Sequence, residues 1–105
     1  MYRKVALIIF YDKNGRILLQ NRQGISKYGE EWGYFGGGIE ADETPEEAVI
    51  RETEEELEFV LKKYQFIGVV TTEDQRGTIE RHVFISLLPD INKLHQKEGR
   101  HMQLF

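Results

Sequence analysis

The residues best suited to chemistry form an acidic cluster in the middle of the chain. The sequence from Arg51 reads Arg-Glu-Thr-Glu-Glu-Glu. Residues three or four apart lie on the same face of a helix, so we expect Glu52, Glu55 and Glu56 to project together. Crowded carboxylates repel one another unless water or a cation lies between them, and hard divalent ions such as Mg²⁺ prefer oxygen ligands. The cluster is therefore a candidate metal site.

A glycine-rich turn, Gly36-Gly37-Gly38, precedes this cluster. Because glycine has no side chain, such a turn lets the backbone approach a metal ion or a phosphate closely. A tight connection between a strand and a helix would require the same glycines, and the two roles do not exclude each other.

The segment from Gly37 to Phe59 resembles the signature of the Nudix hydrolases. That signature places one glycine, one arginine and four glutamates at fixed spacings, which here fall on Gly37, Glu43, Arg51, Glu52, Glu55 and Glu56. Thr53 stands where the family usually has an aliphatic residue, and Glu58 stands where it usually has glycine. Neither position is a ligand, so we still expect activity. The spacing favours a metal site over a solvated acidic helix, which is the commoner fate of an acidic run.

The resemblance implies hydrolysis of a nucleoside diphosphate linked to another moiety. It implies Mg²⁺, with Mn²⁺ as the alternative ion, held by Glu52, Glu55 and Glu56, and the carbonyl of Gly36 as a further ligand. Such an ion would neutralise the phosphates and activate a water molecule. Glu55 would be a ligand, the general base, or both, and Glu98 is the alternative base or an additional ligand.

Two further positions of the signature have implied supporting roles. Arg51 is expected to pair with Glu43 and hold the loop against the helix, as residues that orient metal ligands do. For an isolated arginine and glutamate, a surface ion pair of little consequence would be the better interpretation. We assign Arg51 and Glu43, with Glu55, to the catalytic group.

The remaining candidates would bind substrate. Arg22 ends a predicted strand and could reach a phosphate or remain solvated, Trp32 is either a core residue or part of a base-stacking wall, and Gly37 and Glu98 lie in loops beside the site. The residues that distinguish particular Nudix subgroups, which lie C-terminal to the signature, are absent from this sequence. By elimination we expect a nucleoside triphosphate or a related small nucleotide as substrate. The alternative is a Nudix domain that binds or senses a nucleotide without turnover.

Composition is consistent with one cytoplasmic domain over residues 1–105, without disulfides because the chain has no cysteine. The net charge is −4, yet residues 40–58 carry ten acidic residues and one basic residue. An acidic patch in a basic body suits a metal that bridges to an anionic substrate. We expect a small-molecule nucleotide as partner, and neither a stable nucleic-acid complex nor a membrane.

The pattern predicts an α/β (α+β) domain. Apolar runs indicate strands at 3–11, 16–22, 64–72, 78–88 and 101–105, with a hairpin joining the first two. Thr44, Pro45 and Glu47 predict a capped helix from Pro45 to about Glu58. The resemblance implies a mixed sheet between helices, but the family's usual C-terminal helix is apparently absent from this chain. One apolar sheet face would then need another cover, so we expect a homodimer.

Overall fold

The computed structural model describes residues 1–21, 32–97 and 101–105 of the chain. Seven strands, one α-helix and one short 3-10 helix form its regular structure. In chain order these are β1 (Tyr2–Tyr11), β2 (Leu18–Asn21), β3 (Trp32–Gly33), β4 (Phe35–Gly38), α1 (Pro45–Leu57), β5 (Gln65–Asp74), β6 (Gly77–Leu87), the 3-10 helix (Ile91–Lys93) and β7 (Met102–Leu104). No helix of the described residues is both long and apolar enough to cross a membrane.

The strands form two sheets. The larger has the order β4-β1-β6-β5, in which β1 and β6 are parallel and the other pairs are antiparallel, and the smaller has the order β3-β2-β7. This arrangement confirms the predicted α+β class. The expected hairpin between β1 and β2 is wrong, because a single bridge from Tyr11 to Ile17 joins them. β6 pairs with one edge of β1 along its whole length, and β4 occupies Val5–Ile8 on the other edge, so a longer hairpin is blocked and β2 enters the smaller sheet.

The core lies between the larger sheet and α1. Ala6, Ile8 and Phe10 alternate along one face of β1 and are completely buried, as are Val49 and Leu57 of the helix. Alternate strand residues point to the same face, which explains why the even-numbered positions of β1 meet the helix. This packing fixes α1 next to β4.

Gly36, Gly37 and Gly38, predicted to form a turn, are instead strand residues paired with β1, and the chain turns at residues 41–42. We call these three glycines, together with the turn that follows them, the glycine turn.

Both ends of α1 have identifiable caps. Thr44 and Glu47 form the predicted capping box. At the other end Glu58 adopts the left-handed conformation with φ 52°, which costs a non-glycine residue about 1–2 kcal/mol. The last-turn carbonyls of Glu56 and Leu57 accept hydrogen bonds from the backbone of residues 97 and 95. The helix thus ends near the predicted residue, and Val60, which follows it, is exposed.

The second face of the larger sheet is largely apolar. Leu7 and Ile9 point to it from β1, and Val70 and Val83 lie on the neighbouring strands, with Val70 52% exposed. In the described part of the chain α1 is the only α-helix, and it packs on the opposite face. The homodimer expected to cover this surface stays a prediction.

Candidate active site

The glycine turn and the acidic face of α1 meet because β4 pairs with β1 directly beside the helix. Gly37 lies against the carboxylate of Glu52: a Cβ atom built at Gly37 would lie 2.6 Å from the Cδ atom of Glu52. Gly36 has φ 138°, a value that favours glycine, and a side chain there would collide with the carbonyl of Ala6. Gly37 therefore allows close approach to the helix, and Gly36 allows close approach to β1.

Glu56 is buried beneath this turn, with 7% of its surface exposed. The backbone amide of Gly36 donates to its Oε2 atom at 3.0 Å, and the side-chain amide of Gln20 donates to its Oε1 atom at 3.4 Å. The glycine turn thus supplies a donor to the carboxylate.

Arg51 connects the loop before the helix to the acidic face. Its Nε and Nη2 atoms donate to the two carboxylate oxygens of Glu43 at 2.6 and 2.9 Å, a bidentate pair. Nη2 also donates to the carbonyl of Gly38 at 3.1 Å, and Nη1 donates to Glu52 Oε1 at 2.9 Å. The expected pair of Arg51 and Glu43 is therefore present, as part of a larger network.

This network shifts the pKa values of its members. The hydrogen bond from Arg51, followed by one from the backbone of Glu40, lowers the pKa of Glu43 to about 2. The bond to Glu43 raises the pKa of Arg51 further above its already high ordinary value. Burial raises the pKa of Glu52, and the hydrogen bond from Arg51 opposes that shift.

Glu55 is the most accessible of the three clustered carboxylates. Its side chain is 58% exposed, and it accepts from Arg51 Nη1 at 3.3 Å. Among the described residues, no three acidic or histidine side chains come together closely enough to form a metal site. The structure therefore brings Glu52 and Glu56 to adjacent glycines but leaves Glu55 nearer to solvent. Their oxygen donors fit a hard divalent ion, with Glu52, Glu56 and Glu55 as the residues that would hold it.

The other predicted site residues are less central. Trp32 is half-buried in the smaller sheet, where its ring meets the rings of His101 and Phe105 edge-on, with centroids 5.2 and 4.9 Å apart. The predictions for Arg22 and Glu98 lie outside the described residues.

An apolar hollow of about 420 Å³ lies on the second face of the larger sheet. Gly68, opposite Val83 in β6, contributes no side chain and leaves this space open. Among the described residues that line it, Arg81 is the only charged one, and Tyr34 borders it next to β4. Sequence reasoning missed the hollow. The available signal was Arg81, which lies on the same face of β6 as the apolar Ile79 and Val83.

The fold defines the class of protein, together with the site formed by Gly36–Gly38, Glu52, Glu55 and Glu56. We call this site the acidic turn. A family model for the NUDIX domain matches residues 1–103, so the chain belongs to the Nudix family, and the resemblance found in the sequence is confirmed. A solved MutT NUDIX hydrolase from Burkholderia pseudomallei superimposes with a TM-score of 0.82 at 26% identity, covering 100% of this chain and 83% of that one.

Curated relatives give a closer comparison. The 8-oxo-dGTP diphosphatase of Proteus vulgaris is 28% identical over 98 residues, which is 90% of this chain and 84% of that protein. The CTP pyrophosphohydrolase of Escherichia coli (strain K12) is 40% identical over 57 residues, 54% of this chain and 41% of that protein. The chain spans about two fifths of the length of several curated relatives that it matches.

Proposed function

We propose that this chain is a divalent-metal-dependent pyrophosphohydrolase of small nucleotides, with a nucleoside triphosphate as the expected substrate. The observation that carries the proposal is the placement of Glu52 and Glu56 against Gly37 and Gly36. That arrangement puts two oxygen donors beside backbone that a phosphate can approach closely. The names of the two curated relatives support the same substrate class, since they mention 8-oxo-dGTP and CTP.

Each residue of the network has a distinct part in this proposal. Glu52, Glu55 and Glu56, with the carbonyl of Gly36, would hold Mg²⁺ or Mn²⁺. The bound ion supplies charge neutralisation on the phosphates and a more acidic water. Glu55 is the group best placed to accept a proton from water, because its side chain is the most exposed of the three. Glu98 remains the alternative base.

Arg51 and Glu43 act on the ligands indirectly. The guanidinium binds Glu43, Gly38 and Glu52 together, and so fixes the loop, the turn and the helix relative to one another. Residues that orient metal ligands typically change metal affinity or activity by about 10–100-fold when replaced.

The apolar hollow is the place we propose for the non-phosphate part of the substrate. Its volume of about 420 Å³ is in the usual range for small-molecule sites. Tyr34 connects it to the acidic turn, because Tyr34 lines the hollow and its carbonyl accepts a hydrogen bond from Gln20, which binds Glu56. The guanidinium of Arg81 could donate to acceptors on a nucleobase. Trp32 and Arg22 remain further candidates for substrate contacts.

A nucleotide-binding domain without turnover is the second candidate. The observation in its favour is that Arg51 contacts both Glu52 and Glu55, and that no three carboxylates converge in the described residues. Such a domain would bind nucleotides but release no product.

A product-release screen distinguishes the two candidates. Purified protein is incubated with nucleoside triphosphates, 8-oxo-dGTP and nucleotide sugars, with and without Mg²⁺. Phosphate is then measured after adding inorganic pyrophosphatase for the triphosphates, which release pyrophosphate, and alkaline phosphatase for the nucleotide sugars, which release two phosphomonoesters. We expect Mg²⁺-dependent release in the wild type and in Glu54→Gln, which removes an exposed carboxylate of the same helix, but strongly reduced release in Glu56→Gln. Nucleotide binding without release would support the second candidate and contradict the first.

A further inference from the structure

We propose that Gln20 is a positioning residue for Glu56, the last link in a chain of side-chain amides that runs from Gln96 through Gln20 to the acidic turn. The inference rests on the proposed function, in which Glu56 is a metal ligand. Nothing in the Nudix signature itself points to either glutamine.

Gln20 is a buried polar residue with a complete set of partners. Only 1% of its surface is exposed. Its Nε2 atom donates to the carbonyl of Tyr34 at 3.2 Å and to Glu56 Oε1 at 3.4 Å, and its Oε1 atom accepts from Gln96 Nε2 at 3.4 Å. Since a carbonyl and a carboxylate can only accept, the Nε2 side of the amide must face them. The partners thus fix the orientation of this amide.

A neutral donor is chemically suited to a metal ligand. A lysine or arginine at this position would cancel the charge of Glu56 and compete with a cation. The amide of Gln20 instead restrains the carboxylate while leaving it anionic, and a carboxylate has about four acceptor positions in total. In a buried site such a bond is electrostatically stronger than in water. Partners of this kind orient metal ligands and affect metal affinity.

Gln96 is held in place by its own segment. Residues 94–97 run along the end of α1, where the backbone amides of His95 and Lys97 donate to the carbonyls of Leu57 and Glu56, both at 2.8 Å. Lys97 also forms an ion pair with Glu58 at 2.8 Å. This attachment places the Gln96 amide against Gln20. The chain of amides therefore connects the C-terminal end of the helix, the smaller sheet and the acidic turn.

The test measures metal binding without relying on turnover. Mn²⁺ binding to the nucleotide-free protein is followed by electron paramagnetic resonance for the wild type, Gln20→Met and Glu56→Gln. Methionine roughly keeps the shape of glutamine and removes the donor. We expect Gln20→Met to weaken Mn²⁺ binding about tenfold, and to lower kcat while leaving the KM for nucleotide unchanged at saturating Mn²⁺.

Two further variants separate positioning from stability. Ser86→Ala removes a hydrogen bond to the carbonyl of Lys63 in a different buried region, so it should lower the melting temperature without weakening Mn²⁺ binding. Gln96→Leu changes a partly exposed residue and breaks only the outer link. It should weaken Mn²⁺ binding in the same direction as Gln20→Met but less, and it decides the question if Gln20→Met does not fold.

The outcomes distinguish this inference from the proposed function. Unchanged Mn²⁺ affinity in the folded glutamine variants, with weak binding in Glu56→Gln, would overturn the positioning role and leave the proposed function standing. Mn²⁺ binding in Glu56→Gln equal to that of the wild type would mean that the ion binds elsewhere, and it would overturn the proposed function itself.

Discussion

Glu52 and Glu56 lie one turn apart on the same helix, yet their surroundings differ. Glu52 accepts from the charged guanidinium of Arg51 at 2.9 Å. The donors to Glu56 include two neutral groups, the backbone amide of Gly36 and the side chain of Gln20. Glu52 lies beside a network that includes the exposed Glu55, whereas Glu56 is almost fully buried.

The difference indicates which of the two carboxylates attracts a metal ion more strongly. A nearby positive charge partly cancels the attraction of a carboxylate for a cation, while neutral donors restrain it and leave its charge in place. We expect Glu56 to provide the firmer attraction for a metal ion, because it is buried and electrostatic interactions are stronger in a buried site than in water. Arg51 contributes mainly by holding the Glu43 loop and the Gly38 carbonyl against the helix.

The largest effect should come from Glu56→Gln. Removing the charge of this buried carboxylate should lower kcat by about a hundredfold or more, which corresponds to about 3 kcal/mol in the barrier. Steady-state kinetics at saturating Mg²⁺ measure this, and Glu54→Gln, an exposed change on the same helix, is the control that should keep the wild-type rate. A wild-type rate in Glu56→Gln would refute the metal assignment.

Arg51→Lys tests the contribution of the guanidinium that contacts Glu52. Lysine keeps the charge but cannot form the bidentate pair with Glu43 while also reaching Gly38 and Glu52. We expect kcat to fall about tenfold, less than in Glu56→Gln, together with a lower melting temperature. Arg76→Lys, which changes an arginine paired with Asp74 in an exposed turn, is the control. If Arg51→Lys costs more activity than Glu56→Gln, the proposed division of work between the two carboxylates is wrong.

Local features of this site could be predicted from the sequence. The capping box at Thr44 and Glu47 and the pair of Glu43 and Arg51 depend on residues within one loop and one helix, so their spacing specifies them. The same holds for the turn between β5 and β6, which lies between the strands predicted at 64–72 and 78–88.

Features that depend on distant contacts could not be predicted. The pairing of β1 with β6 joins residues more than seventy positions apart, and together with the pairing of β1 with β4 it leaves no room for the expected hairpin. Gln20 is buried because it lies on the same face of β2 as Leu18, which is also buried. A polar residue on the buried face of a strand was the signal. Its partner Glu56 was not apparent because β2 and α1 meet only in three dimensions.

Mg²⁺ should stabilise the folded protein, because an ion that binds only the folded site shifts the unfolding equilibrium. At tenfold excess over the dissociation constant the gain is about 1.4 kcal/mol, which is several degrees in melting temperature for a domain of this size. Thermal melts across a Mg²⁺ series measure it. The shift should vanish in Glu56→Gln and persist in Glu54→Gln. A wild-type melt that does not respond to millimolar Mg²⁺ would contradict a site that is formed in the folded protein.

The smallest expected effect is a loss of folding stability at low pH. It acts through Glu43, which is paired with Arg51 in the network around Glu52. The hydrogen bond from Arg51 lowers the pKa of Glu43 to about 2 in the folded protein, from an ordinary value of 4.5. Because the folded-state pKa is depressed, the stabilisation from this group is fully present above about pH 4.5 and is lost as the pH falls towards about 2. Urea unfolding at a series of pH values should therefore show the wild type losing more stability across this window than Glu43→Gln. Glu54→Gln serves as the reference, since it also removes one carboxylate but leaves the Arg51 network intact. Equal losses in the wild type and Glu43→Gln would show that the bond to Arg51 adds nothing to stability. The role of the guanidinium would then be only to orient the residues of the site.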